Sequence, residues 1–283
     1  MGVDWKKVRF GATGLSVSRL GLGSSYGLPG KEVERAYERG INFMFWGLRR
    51  RGDFGSGIRN IAARDREGVV IAVQSYTRMA SLMGCSLDAT RRALKVDQVD
   101  ILCLGWWNDA PPPRIIEAAV RLRDAGKVKH LMISSHQRPK FEQLSRIDAF
   151  SSIMVRYNAA HPGAENDVFP QLPDLRPGVL AFTATRWGSL LNPRLVPDGE
   201  PVPRASDCYR FALSNANVHA SLAGPKNAEE LDEAMAALDR GPLSADERAW
   251  MLRVGKAVRG DTKANVPIRA LDRVRGAIFG NAP

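Results

Sequence analysis

Eight short apolar runs recur along the chain with helix-patterned segments between them, and few folds accept that alternation. The runs occupy residues 18–22, 41–45, 69–73, 99–104, 129–134, 152–155, 179–183 and 218–222. They are rich in Val, Ile, Leu and Phe, the composition of strands covered on both faces. Strands of this kind separated by helices build βα units on a parallel sheet, and eight of them predict a closed (β/α)8 TIM barrel. A chain of 283 residues, 44% hydrophobic, can bury a large core, and its length suits either two ordinary domains or one α/β barrel. A doubly wound dinucleotide fold needs a GxGxxG turn after its first strand, and Gly21-Leu22-Gly23-Ser24-Ser25-Tyr26-Gly27 misses that spacing by one residue.

The intervening segments carry helix signals of their own. From Pro113, the residues Ile115, Ile116, Ala119, Val120 and Leu122 repeat at helical spacing, with Gly126 beyond the end. Asn227 precedes Glu230 by three residues, and Ser244 precedes Glu247 by three, the spacing of a capping box. No Ser-, Gly- or Gln-rich linker divides the chain. The expected organisation is one barrel over 1–263 followed by a C-terminal helical tail over 264–283, with a short helix around 268–278 and a Pro-rich loop at 197–203.

The net charge is +11, concentrated in Arg49, Arg50 and Arg51 and in residues 253–283, where seven Lys or Arg face two Asp. These basic residues lack interleaved aromatics and any nucleic-acid motif, so no nucleic-acid partner is expected, and a phosphate-bearing cofactor is the simplest specific use of the charge. There is no 18-residue apolar run and no signal-peptide pattern at the start, so neither a membrane partner nor export is expected and the reading is cytoplasmic. Cys85, Cys103 and Cys208 are widely spaced, with no CxxC pair or His cluster; they predict no disulfide and no metal site and read as small buried hydrophobes.

Residues 10–23, FGATGLSVSRLGLG, followed by GINF at 40–43, VDQVDILCL at 96–104, LRDAGKVKHLMIS at 122–134, VRYN at 155–158 and VHASLAGPKNAEELDEAMAAL at 218–238, resemble the aldo-keto reductase family in order and approximate spacing. The resemblance covers about 240 residues of the chain. It implies a barrel with an N-terminal β-hairpin, an active site at the C-terminal strand ends and an extended NADP(H). In that family a Tyr hydroxyl protonates the carbonyl oxygen while the nicotinamide delivers hydride; a Lys paired with an Asp tunes the Tyr, and a His orients the substrate. A phenol titrates near pH 10 and needs a cationic neighbour to act near neutrality.

This chain departs from the family at all four positions. Phe45 stands where the Asp is implied, Arg50 at the Tyr, Gln74 at the Lys and Gly105 at the His. The cofactor contacts implied by the resemblance are better kept: Ser134 and Ser135 for the nicotinamide carboxamide, and Gly224, Lys226 and Asn227 for the adenosine 2′-phosphate, with Glu230 where Gln or Arg is common. Met154 replaces a Gln. NADP(H) binding is therefore the expectation, weakened or lost.

Other residues near the implied mouth are candidates from their chemistry. Trp46, Trp106 and Trp107, with Phe45, offer flat faces for a planar ligand, and Arg50, Arg156 and Arg186 offer guanidinium groups to an anionic one. The expected partner is thus a small molecule, anionic or aromatic. His136, Tyr76 and Asp53 are the candidates for a relocated acid or base, His136 foremost because imidazole titrates near working pH. Each also has a structural reading, as packing, rim or surface. The functional readings are an NADP(H)-dependent oxidoreductase scaffold with atypical or absent carbonyl reduction, a non-catalytic binding or regulatory barrel, and a repurposed lyase or isomerase.

Overall fold

The structure is a computed structural model and describes residues 5–47, 52–172 and 177–260. A two-stranded antiparallel hairpin, β1 (Lys7–Arg9) and β2 (Ser16–Ser18), comes first. The eight strands of the barrel follow: β3 (Leu20–Gly23), β4 (Phe43–Trp46), β5 (Val70–Ser75), β6 (Val99–Leu104), β7 (Val128–Ser134), β8 (Ser152–Arg156), β9 (Gly178–Phe182) and β10 (Ala220–Ala223). Each pairs in parallel with the next, and β10 closes on β3. All eight expected strands are present, with ends displaced by up to two residues. The expected tail and its helix, and Arg49 to Arg51, lie outside the described residues.

The helices are α1 (Gly30–Glu38), α2 (Phe54–Arg64), α3 (Ala80–Leu94), α4 (Pro113–Asp124), α5 (Phe141–Leu144), α6 (Ala164–Asp167), α7 (Ala205–Leu213), α8 (Ala228–Arg240) and α9 (Ala245–Gly260). Pro113 opens α4, where its missing N–H and fixed φ cost nothing. Asn227 caps α8 by accepting the Glu230 N–H at 2.9 Å, as the capping spacing predicts.

Strand alternation divides the core in two. Phe43, Phe45, Val70, Ala72, Ile101, Cys103, Met132, Met154, Leu180 and Ala220 fill the barrel, while Met44, Trp46, Ile71, Val73, Leu102 and Leu104 face the helices. The hairpin closes the floor. Phe10 packs edge-on against Phe43 with centroids 5.5 Å apart, and its ring fills the space beside Gly178 that a Cβ there would need. Outside the barrel, Asp100 is 2% exposed and joins Arg66 and Lys129, each at 3.0 Å, while accepting the Ile71 N–H.

Cys103 and Cys208 are buried as expected, but Cys85 is exposed: it lies on the solvent side of α3, between the buried Met83 and Leu87. Among the described residues no helix is long and apolar enough to cross a membrane.

Candidate active site

Because the strands are parallel, their last residues share one end of the barrel, and alternation decides which side chains point into it. On β5 the inward register 70, 72, 74 carries on to Tyr76; on β6 the register 101, 103 carries on to Gly105; on β8 and β9 it brings Arg156 beside Phe182, a registered pair. Phe45, Gln74 and Gly105, three positions that the family resemblance makes catalytic, thus meet at one mouth.

Their packing is specific. A Cβ built on Gly105 would lie 2.8 Å from Gln74 Nε2 and 3.0 Å from Tyr76 Cε1, and one on Gly47 would lie 3.2 Å from Phe45 Cε1 and 3.6 Å from Gln74 Oε1. Gln74 and Tyr76 therefore fill the volume in which a side chain at 105 would start. Phe45 belongs to the apolar barrel interior and offers no charge to a neighbour.

The loop after β6 is pinned over this group. Gly105 N–H donates to Ser75 O, Trp106 N–H to Ser134 Oγ at 2.9 Å and Trp107 N–H to Ser134 O at 2.8 Å. The Arg78 guanidinium then donates to the carbonyls of Gly105 and Trp106, at 3.1 and 2.6 Å, and lies over the Trp107 ring, 3.9 Å from its centroid. Burial lowers the Arg78 pKa, with Tyr76 acting in the opposite direction. These bonds hold Trp106 at φ 56°, a left-handed conformation that is costly for a bulky side chain. Among the described residues the other non-glycine residues at positive φ are Lys95, which ends α3, and Thr183, Arg186 and Trp187, which follow β9. Strain of this kind gathers where surrounding structure over-determines the backbone.

His136 completes the wall. Its ring lies 4.9 Å from that of Trp106 and 5.8 Å from that of Phe182. Tyr76, Trp106 and His136 are thus gathered around the mouth with Gln74, while Trp107 packs against the helix-side core beneath Arg78. Arg78 and Phe182 were missed by sequence reasoning. The alternation of β9 could have found Phe182; no local signal marks Arg78, whose contacts lie about 28 residues away.

Other candidates sit elsewhere. Trp46 points outward, so that a Cβ on Gly55 of α2 would be 3.0 Å from its ring. Asp53 accepts the Gly30 N–H at 2.8 Å, tying the start of α2 to the start of α1. Arg186 is 4% exposed and donates to Val258 O at 2.8 Å, holding the end of α9. Arg50 lies outside the described residues. Arg156, Arg186, Arg259 and Arg138 all act on His161, and burial first, then these cations, push its pKa down to about 3.

The implied cofactor contacts are partly used by the protein itself. Ser134 accepts the Trp106 N–H and also bonds the buried Cys103 thiol, whose pKa burial pushes up to about 12. Ser135 accepts the Gln137 N–H at 3.0 Å, closing a tight turn. A hydroxyl oxygen has two lone pairs, so each serine keeps acceptor capacity for an amide N–H. Gly224 lies under the Tyr26 ring, with no room for a Cβ. Lys226 pairs with Glu230 at 2.8 Å. Among the described residues no group of His, Cys, Asp and Glu is arranged to hold a metal ion.

Comparison with solved structures places this architecture. The aldo-keto reductase AKR11C1 from Bacillus halodurans superposes on 89% of this chain and 96% of its own, with a TM-score of 0.74 at 22% identity. The fold is that of the aldo-keto reductases. An aldo-keto reductase from Klebsiella pneumoniae, solved with NADPH, covers 90% of this chain and 96% of its own, with a TM-score of 0.72 at 23% identity. A Klebsiella pneumoniae aldo/keto reductase structure with NADP and acetate covers 89% and 95%, with a TM-score of 0.72 at 22% identity. In sequence, the model of the aldo/keto reductase family matches residues 61–194. That span takes in Gln74, Gly105, Ser134 and Ser135 and leaves out Phe45, Lys226 and Glu230. No curated protein sequence matches the chain.

Proposed function

We propose that this chain is a divergent aldo-keto reductase barrel that binds a nicotinamide dinucleotide across its C-terminal mouth and does not perform carbonyl reduction with the family's acid group. The packing at Gly105 carries this reading. With Gln74 and Tyr76 in the space next to residue 105 and Phe45 in the barrel interior, position 105 supplies no imidazole and position 45 no carboxylate for the family chemistry.

The mouth retains what holding a flat anionic ligand needs. Trp106 and His136 supply aromatic surface, Arg156 stands on an inward register position, and Ser134 keeps a lone pair for a carboxamide. A bound nicotinamide would supply hydride transfer; the protein would supply binding, orientation and exclusion of water. Losing a tuned proton donor lowers turnover by about two to four orders of magnitude. A binding or regulatory role is the competing reading, favoured by the cage of Trp106, His136 and Phe182.

Titration of the purified chain with NADPH and with NADH, followed by cofactor fluorescence and Trp quenching, tests the proposal. Saturable binding of either, with carbonyl-dependent cofactor oxidation at least about a hundredfold below ordinary enzyme rates, is expected. Absence of binding at millimolar concentrations of both would exclude the dinucleotide reading.

A further inference from the structure

The loop that the family resemblance assigns to the adenosine 2′-phosphate is already neutralised by the protein's own carboxylate. Glu230, in the first turn of α8, accepts the Lys226 backbone N–H with one oxygen at 3.0 Å and pairs with the Lys226 ammonium through the other at 2.8 Å. Its own N–H goes to Asn227 Oδ1 at 2.9 Å. Glu229 is beside it in the same first turn. Asp232 lies one turn further along and is held by Arg35 at 2.8 Å and by Arg39. The positive end of the α8 dipole, the feature that would attract a phosphate, is thus capped by the Asn227 amide and flanked by the Glu229 and Glu230 carboxylates.

We infer that this site takes an unphosphorylated dinucleotide, NAD(H), in preference to NADP(H), and that Glu230 sets the choice. The inference rests on the dinucleotide reading above and concerns the adenosine end alone. A ribose 2′-hydroxyl is a donor, and a carboxylate is the acceptor that recognises it in other dinucleotide sites. A 2′-phosphate is an acceptor with up to two negative charges. It can draw Lys226 away, because that pair is exposed (64% and 43%) and exposed pairs contribute little. It does not thereby remove Glu230, which the Lys226 backbone N–H continues to hold beside the incoming charge. The repulsion between a fixed carboxylate and a doubly charged phosphate a few ångströms away corresponds to roughly tenfold or more in affinity.

The test is a binding measurement on the full chain, independent of turnover. Wild-type protein and the Glu230→Gln and Lys226→Ala variants would be titrated with NADH and NADPH, with thermal melts confirming that each variant is folded. The amide in Glu230→Gln keeps an oxygen for the Lys226 N–H and removes the charge. The expected result is NADH binding at least about tenfold tighter than NADPH in the wild type, with the gap narrowed severalfold in Glu230→Gln through a gain for NADPH. Lys226→Ala should widen the gap by weakening NADPH binding, because it leaves the Glu230 charge without its ammonium partner. Tighter NADPH than NADH in the wild type, or no gain for NADPH in Glu230→Gln, would overturn the assignment to Glu230 while leaving the dinucleotide reading standing. If neither cofactor binds, both fall.

Discussion

At Gly105 the absence of a side chain is what lets Gln74 and Tyr76 occupy the mouth. Restoring bulk there should cost stability even at the size of alanine. Gly105→Ala is expected to lower stability by no more than about 1 kcal/mol, because the Gln74 amide is the flexible end of a long side chain and can shift, and Gly105→His by about 1–3 kcal/mol, as other overpacked sites do. Chemical denaturation checks both. Gly105→Ala combined with Gln74→Ala should recover much of the loss, because the first atom that the new Cβ meets is Gln74 Nε2 at 2.8 Å. Equal losses with and without Gln74→Ala would show that the strain comes from the backbone instead. Tyr76 is the phenol nearest this position and has a guanidinium for a neighbour in Arg78. Any residual carbonyl turnover should therefore fall by at least about tenfold in Tyr76→Phe with cofactor affinity unchanged; unaltered turnover would remove Tyr76 from consideration as the acid. Asp100 is a different kind of residue, one whose loss leaves Arg66 and Lys129 facing each other without their carboxylate. Asp100→Ala should cost about 3–5 kcal/mol in denaturant unfolding.

The elements differ in how much of them the sequence discloses. The eight strands are legible because a strand covered on both faces must be apolar throughout, and period-2 alternation then orders the mouth: Val70, Ala72 and Gln74 lead to Tyr76, and Phe43 and Phe45 inward put Trp46 outward. Trp46 was placed at the mouth by proximity in sequence, whereas the β4 register turns it onto α2. Arg186 is harder to read, because the turn after β9 passes through left-handed residues and sends the side chain to the end of α9 instead of along the strand axis. The close approach of α9 to the loop after β8 is equally hidden in sequence, since it needs a glycine at 255. A Cβ on Gly255 would collide with the backbone of Ala159 and Ala160. Backbone cannot rotate aside as a side chain can, so Gly255→Ala should lift α9 and lower stability by roughly 1–3 kcal/mol. It should also speed hydrogen exchange selectively in 245–260; uniform exchange across the barrel would contradict a local effect.

For the molecule as a whole, acid sensitivity begins well above the carboxylate range. His161 is held neutral down to about pH 3, while in the unfolded chain it titrates near 6.5. Its contribution is present above that upper value and is lost as pH falls towards the lower one, because the unfolded chain takes up a proton that the folded chain refuses. Glu247, whose pKa is lowered to about 2 chiefly by Arg210, adds a loss of the same sign below about pH 4.5. Melting temperature should therefore decline between pH 7 and 5, and His161→Gln should flatten that decline; an unchanged slope would show that other groups govern it. The N-terminal segment has a bearing on how the chain is assembled. Trp5 donates to Ala237 O, and the Arg19 guanidinium donates to the carbonyls of Leu213 and Val218. Phe10 fills the space next to Gly178. Trp5 and Arg19 thus find their partners 194 to 232 positions further along the chain, so the barrel floor is sealed only after synthesis has passed Ala237, and until then the early strands have an open edge.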